Sequence, residues 1–224
     1  MARDRSLKKD LAEADQVYVG EFEAINGSGV TATAILTVDR GGPGSEDDLL
    51  TVRIKATGLD EGLHIQHMHG FETGQDAVTP NRRDDSDGDG FVELLEGLPD
   101  YGGILLNLDD EDGAFPFTMG KDGSFVFEQT YHLLGDDEPH GSHAGDSITT
   151  FRNLDLNHLV IHGMNVPGRA GEGTPGEVGD TEERGSLVFD PNRFKEVLPV
   201  AVAELEQMSG REARLFADAN DFNF

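Results

Sequence analysis

Residues 30–38 place Val30, Ala32, Ala34, Leu36 and Val38 on one parity and Thr31, Thr33, Ile35 and Thr37 on the other. Residues 50–56 do the same, with Leu50, Val52, Ile54 and Ala56 alternating with Thr51, Arg53 and Lys55. A period of two suits a strand, whose side chains point alternately to opposite faces, and an apolar parity beside a polar one predicts antiparallel sheets with one wet face. Similar runs occupy 17–24, 63–71, 103–108, 124–132, 156–162 and 185–189, separated by Gly, Pro and Asp clusters such as Gly58-Leu59-Asp60-Glu61-Gly62 and Lys121-Asp122-Gly123. About eight strands at this spacing, with one long crossing loop, predict an all-β protein, a Greek-key sandwich or barrel spanning 17–190. Residues 1–16 read as a polar arm of one or two helical turns outside the core. Residues 191–224 read as a C-terminal helix and tail. Pro191-Asn192 would open that helix, with Phe194, Val197, Leu198, Ala201, Ala203, Leu205 and Met208 as a stripe facing the sandwich or a second subunit of a homodimer.

Charge narrows the partners. The 224 residues carry 17 basic and 44 acidic side chains, a net charge of −27, which repels nucleic acid and anionic membrane surfaces. No run reaches the length of a membrane span. Cysteine is absent, so a transition-metal site must be built from histidine and carboxylate. The charged first sixteen residues lack the apolar core of a secretory signal, so the chain stays inside, or is exported by another signal, or follows a leader outside this sequence. Neither a phosphate-binding Gly-rich loop with lysine nor a Gly-x-Ser-x-Gly nucleophile elbow is present.

Three of the eight histidines fall in residues 63–71, Leu-His-Ile-Gln-His-Met-His-Gly-Phe. On a strand, His67 and His69 share a face about 7 Å apart, a spacing that can chelate one ion, while His64 points the other way with Gln66 and Met68. Residues 157–164, Asn-His-Leu-Val-Ile-His-Gly-Met, put His158, Val160 and His162 on one face of another strand. His158 is not read as a ligand. His140 and His143 form a second loop pair, either solvated beside Asp136, Asp137 and Glu138 or a separate exposed site.

Residues 85–96, Asp-Ser-Asp-Gly-Asp-Gly-Phe-Val-Glu-Leu-Leu-Glu, fit the twelve-residue calcium loop at every defining position. Asp85, Asp87 and Asp89 supply carboxylates at positions 1, 3 and 5, and Gly90 permits the turn at 6. Phe91 offers its carbonyl at 7, Glu93 stands at 9 and Glu96 at 12. A hard cation requires six to eight oxygens, and the clustered anions repel one another without one. Pro80 before the loop and Pro99 after it argue against a paired helix on each side, so the loop reads as a stabilising graft in a β-protein rather than a sensor.

The histidine strands carry a family resemblance. Residues 63–71 resemble the copper strand of Cu,Zn superoxide dismutases, Leu-His-Gly-Phe-His-Val-His-Glu-Phe, through Leu63, His64, His67, His69 and Phe71. Residues 159–162 resemble that family's later Leu-Val-Val-His. The resemblance implies His67, His69 and His162 as copper ligands and His64 as a structural histidine. It also sets a Gly-rich loop at 168–179 and Arg184 as the arginine that guides a small anion such as superoxide. Between Phe71 and Tyr101 there is no histidine, so the family's bridging ligand and zinc site have no counterpart. Zinc is therefore not expected, and His132, or else His140 or His143, is the candidate fourth copper ligand. The order of these motifs, with Pro99-Asp100-Tyr101-Gly102 between them, is similar to that of bacterial CHRD-type, superoxide-dismutase-like proteins. Two functions follow: a copper redox enzyme of the dismutase type, or a non-catalytic, calcium-stabilised module that stores or senses copper or serves as an interaction domain. Copper and millimolar calcium fit a periplasmic or secreted location better than the cytoplasm.

Overall fold

In a computed structural model, which describes residues 7–41, 48–133, 153–167 and 194–222, the alternating runs form two five-stranded antiparallel sheets. Helix α1 (Leu7–Glu13) precedes β1 (Gln16–Glu21), β2 (Glu23–Ala24), β3 (Thr31–Asp39), β4 (Leu49–Leu59), β5 (Gly62–Leu63) and β6 (Gln66–Gly70). After α2 (Leu94–Tyr101) come β7 (Gly103–Asn107), β8 (Phe117–Thr118) and β9 (Gly123–His132), then β10 (His158–Asn165), β11 (Phe194–Glu204), β12 (Glu206–Met208) and α3 (Gly210–Ala219). The first sheet runs β12-β1-β3-β4-β9 and the second β2-β11-β10-β6-β7, while β5 pairs with β8 apart from both. Among the described residues no helix is long and apolar enough to cross a membrane. The expected strand at 185–189, the 168–179 loop, Arg184, His140 and His143 lie outside the described residues.

The parity read from the sequence decides which face goes inward. Ala32, Ala34, Leu36 and Val38 of β3 and Leu50, Val52, Ile54 and Ala56 of β4 are buried against Met68, Leu106, Leu159, Ile161, Ala201 and Ala203 of the facing sheet. The result is a β-sandwich with its apolar core between the sheets.

The opposite face of the first sheet is not wet throughout. Leu7 and Leu11 of α1 and Ala213 and Ala217 of α3 close over Val17, Val19 and Ile35. The N-terminal arm expected outside the core is thus part of a second apolar layer, because Leu7 and Leu11 stand one helical turn apart on the same side of α1. Arg53, expected on the solvent parity, is 1% exposed. Its guanidinium pairs with Asp10 of α1, and with Glu128 at 3.0 Å. Burial beneath α1 makes that pairing obligatory, since an uncompensated charge there would cost several kcal/mol.

The C-terminal helix exists but begins later than the sequence stripe suggests. Residues 194–204 form β11, between β2 and β10, and only 210–219 are helical. Residues 197–203, Val-Leu-Pro-Val-Ala-Val-Ala, are an almost unbroken apolar run, which fits a strand covered on both faces as well as it fits a helix. Pro199 decides between them, because it would remove a hydrogen bond from a helix interior. In the sheet it stands where the β10–β11 register shifts, opposite His162. Ser209 starts α3 with a reciprocal cap, its hydroxyl accepting from Glu212 N while Glu212 accepts from Ser209 N.

Candidate metal centre

The outer face of the second sheet carries the histidines. The register sets His67 opposite Val160 and His69 opposite His158, so all four side chains share that face with His162. The strand expected over 63–71 is interrupted at 64–65, and β6 alone holds His67 and His69. Beyond Ile161 the β10–β11 register shifts on both sides of His162, and Gly163 adopts φ +104°. A Cβ at Gly163 would lie 2.8 Å from the Leu63 carbonyl, so only glycine fits there. Such an irregularity re-aims a strand side chain, and it sits beside the histidine that must reach across to β6.

His67, His69 and His162 converge. One ligating nitrogen from each lies within 4.8 Å of the others, and all three residues are buried. His67 Nδ1 lies 3.4 Å from His162 Nε2. Tautomers follow from the acceptors behind the rings. His69 Nδ1 lies 2.9 Å from the Gly102 carbonyl and His162 Nδ1 lies 2.8 Å from the Val197 carbonyl. A carbonyl only accepts, so each Nδ1 carries the proton and each Nε2 keeps its lone pair. His69 Nε2 is buried with no hydrogen-bond partner among the described residues, and His69 has no exposure. Burial lowers the pKa of His69 to about 4, with the Gly102 carbonyl opposing. The imidazole is therefore neutral at pH 7, the form that binds a metal. Carbonyls oriented in this way behind ligating histidines are a standard outer shell of metal sites. These three residues fit a borderline transition-metal ion by donor type and convergence, and His69 adds an orphaned lone pair.

Aromatic rings wall the cluster. Tyr101, at the end of α2, stands edge-on to His69 with centroids 4.6 Å apart, and Phe115 stands edge-on to His67 at 5.9 Å. His64 stands outside this convergence and bonds to backbone instead. Its Nδ1 lies 2.9 Å from the His162 carbonyl, and its Nε2 faces the Asp60 carbonyl at 2.9 Å and the Thr118 hydroxyl at 3.3 Å. Burial holds its pKa below the ordinary value, against the pull of both carbonyls. His64 thus fixes the backbone from which His162 projects. His132 is exposed at the end of β9, in the other sheet, and does not join the cluster.

His158, not read as a ligand from the sequence, lies beside the cluster. It is 1% exposed, stands directly across from His69, and neither ring nitrogen has a hydrogen-bond partner among the described residues. Burial lowers its pKa to about 4, opposed by Asp76. Its shared parity with His162 was visible in the sequence, but the covering of that face was not.

The acidic loop has the expected curl. Asp85, Asp87 and Asp89 bring one carboxylate oxygen each within 4.8 Å of the others. Asp85 accepts from Gly88 N at 2.7 Å and Gly90 N at 3.0 Å, and Asp89 Oδ1 accepts from Phe91 N at 2.8 Å. Glu96 folds back, accepting from Ser86 N at 2.7 Å through Oε1 and from Glu93 N at 3.0 Å through Oε2. Asp89 is 8% exposed, and its Oδ2 is buried with no hydrogen-bond partner among the described residues. Burial, then the charges of Asp87, Asp85 and Glu96, raise its pKa. An orphaned, repelled carboxylate oxygen fits a hard cation. Among the described residues no helix enters the loop, so the paired helices that Pro80 and Pro99 argue against are absent, but one does leave it, and α2 accommodates Pro99 within its eight residues. Glu93 and Glu96, at loop positions 9 and 12, become the start of that helix.

No family model matches the chain, and no match is found among curated proteins.

Proposed function

We propose that this protein is a metal-binding β-sandwich of the superoxide-dismutase-like, CHRD type, with copper held by His67, His69 and His162 and calcium held by the loop from Asp85 to Glu96. The observation that carries the reading is the buried convergence of three imidazole nitrogens, two of them on rings whose protons are committed to backbone carbonyls. An all-nitrogen set without thiolate suits copper, which stands highest in affinity among divalent first-row ions at such donors. Bound copper would supply one-electron chemistry at a position open to a small anion. The chain's own part is to hold neutral imidazoles in fixed tautomers and keep bulk water from them. For the loop, Asp85, Asp87, Asp89 and Glu96 with the Phe91 carbonyl and Glu93 supply the oxygen set a calcium ion requires.

Burial favours the non-catalytic reading, storage or sensing of copper, over dismutation. His69 and His162 are at most 1% exposed, and His67 alone of the three reaches 9%. A net charge of −27 also slows the approach of an anion. Arg184, the carried-over guide for superoxide, is what the enzymatic reading needs. The test is metal analysis of the purified chain with an electron paramagnetic resonance spectrum of the copper-loaded form. A type 2 copper signal that disappears in both His67→Ala and His162→Ala supports the shared site; a signal unchanged in both sinks it. Superoxide dismutation above free-copper controls, lost in Arg184→Ala, would favour the enzyme, and its absence favours storage or sensing.

A further inference from the structure

The acidic loop is joined to the backbone carbonyls that orient the histidines, and by two separate routes. The first runs through α2. Glu96 closes the loop and forms the first turn of that helix, and the helix ends at Tyr101, whose hydroxyl donates to the Leu94 carbonyl at 3.0 Å. Gly97 leaves no slack inside α2, since a Cβ there would lie 2.5 Å from the Tyr101 ring. The next residue, Gly102, has φ +79°, and a Cβ on it would lie 2.2 Å from the Gly70 carbonyl oxygen. The helix end is therefore wedged against β6, and the Gly102 carbonyl receives the His69 proton.

The second route runs through Asn26. Its side-chain amide bonds both backbone groups of Val92, at loop position 8: Val92 N donates to Oδ1 at 2.7 Å, and Nδ2 donates to the Val92 carbonyl at 2.9 Å. The same Nδ2 lies 2.9 Å from the Pro199 carbonyl. Pro199 is the register partner of His162, and Val197, two residues earlier, supplies the carbonyl that holds His162 Nδ1. Phe91, at loop position 7, packs on Leu198 of the same segment and on Val166, just past β10.

We propose that calcium binding in the acidic loop raises the affinity of the histidine site for its metal, by fixing the Gly102 and Val197 carbonyls that orient His69 and His162. The proposal rests on reading both clusters as cation sites. Without a cation the loop holds four carboxylates in mutual repulsion, so its curl and the start of α2 are strained apart; with one, both routes tighten. Neither route ends on a ligating nitrogen. The effect is one of orientation, which in metal sites typically changes affinity by 10–100-fold when an outer-shell partner is lost. Direct repulsion between two bound cations works the other way, so the sign of the coupling separates orientation from charge. Coupling between two binding equilibria is reciprocal, so copper must tighten calcium binding by the same factor.

The experiment titrates the full chain with Cu(II) against a competing chelator, in metal-stripped buffer and again with saturating calcium, and separately titrates calcium by calorimetry with and without copper. Calcium is expected to raise Cu(II) affinity at least fivefold, with the same factor for calcium in the reverse cycle. Glu96→Gln should abolish the effect by weakening calcium binding. Asn26→Gly, whose backbone (φ 56°) a glycine adopts without strain, should lose much of the coupling at saturating calcium, with its own calcium affinity read by calorimetry so that saturation is assured. If both ions bind but Cu(II) affinity changes less than twofold or falls with calcium, the coupling is wrong and both sites stand. If one ion fails to bind in its own titration, the proposal falls with that site, and the separate titrations identify which.

Discussion

The histidine cluster and the acidic loop are both candidate cation sites, yet they are built on opposite principles. The cluster is built from imidazoles, buried, carried on two sheet-paired strands, and assembled from residues 95 positions apart. The loop is anionic, half-buried, and contained in twelve consecutive residues. Imidazoles can wait in place without a metal, because carbonyls satisfy the outward protons of His69 and His162 and a lone pair costs little beyond desolvation. Four clustered carboxylates do so at a cost, because backbone N–H groups offset only part of their repulsion and protonation or a cation must relieve the rest. The contrast predicts a cluster preformed in the absence of metal and a loop that depends on its ion.

Acid gives the largest test of that contrast. In metal-free protein, His69 and His158 have folded-state pKa values near 4, below the unfolded value of 6.5. The unfolded chain therefore takes up protons first as pH falls, and stability is fully present above about 6.5 and lost progressively toward 4. Each histidine should contribute roughly 3 kcal/mol to that loss, seen as a falling urea midpoint between pH 7 and pH 4.5. Asp89 has the opposite sign. Its raised folded pKa means that its penalty is fully present at neutral pH and is relieved as pH falls through that value. The Asp89→Asn variant should therefore be more stable than the wild type at pH 7 without calcium, with the difference shrinking in acid. A flat profile from pH 7 to pH 4.5 would break the idea of a buried, neutral cluster.

Ligand removal comes next. His69→Ala and His162→Ala should each lower Cu(II) affinity by on the order of a hundredfold or more, exceeding the loss usual for an outer-shell partner. Chelator competition reads this directly. Calcium at a hundred times its Kd should stabilise the chain by about 2.7 kcal/mol, a rise in Tm that Glu96→Gln removes. No shift at millimolar calcium would leave the loop a solvated acidic turn. The smallest effect belongs to His132→Ala, which should leave Cu(II) affinity within about twofold, since this exposed residue ends a strand of the other sheet. A larger loss would return His132 to the ligand set.

Much of this was legible because it is local. The alternation in residues 30–38 and 50–56 marks inward and outward parities without any partner strand, and the parity of His67 and His69 places both imidazoles on one face. The spacing of Asp85, Asp87, Asp89 and Glu96 likewise carries its chemistry within one turn of chain. Readings failed where a residue's state depends on what lies over it. Arg53 had the solvent parity, but α1 covers it and Asp10 neutralises it. His158 has no distinguishing local pattern, yet the covered face leaves it buried, with neither nitrogen partnered among the described residues. Residues 194–208 suggested a helix because a doubly covered strand and a buried helix show similar apolar content; Pro199 was the overlooked signal.

The sequence by itself therefore determined the period-two strands, the shared face of His67 and His69, and the curled acidic loop, since each depends only on chain geometry over a few residues. The grouping of His162 with His67 and His69 came from a resemblance between strands and not from local chain geometry, and tertiary structure alone decided that His132 stays away. It also decided that Gly102 and Val197 present the carbonyls that set the tautomers, and that Asn26 ties the loop to β11. Those relations join residues distant in the chain through strand register and close packing, and no local pattern of side chains encodes which distant backbone group will lie within 3 Å of a given ring.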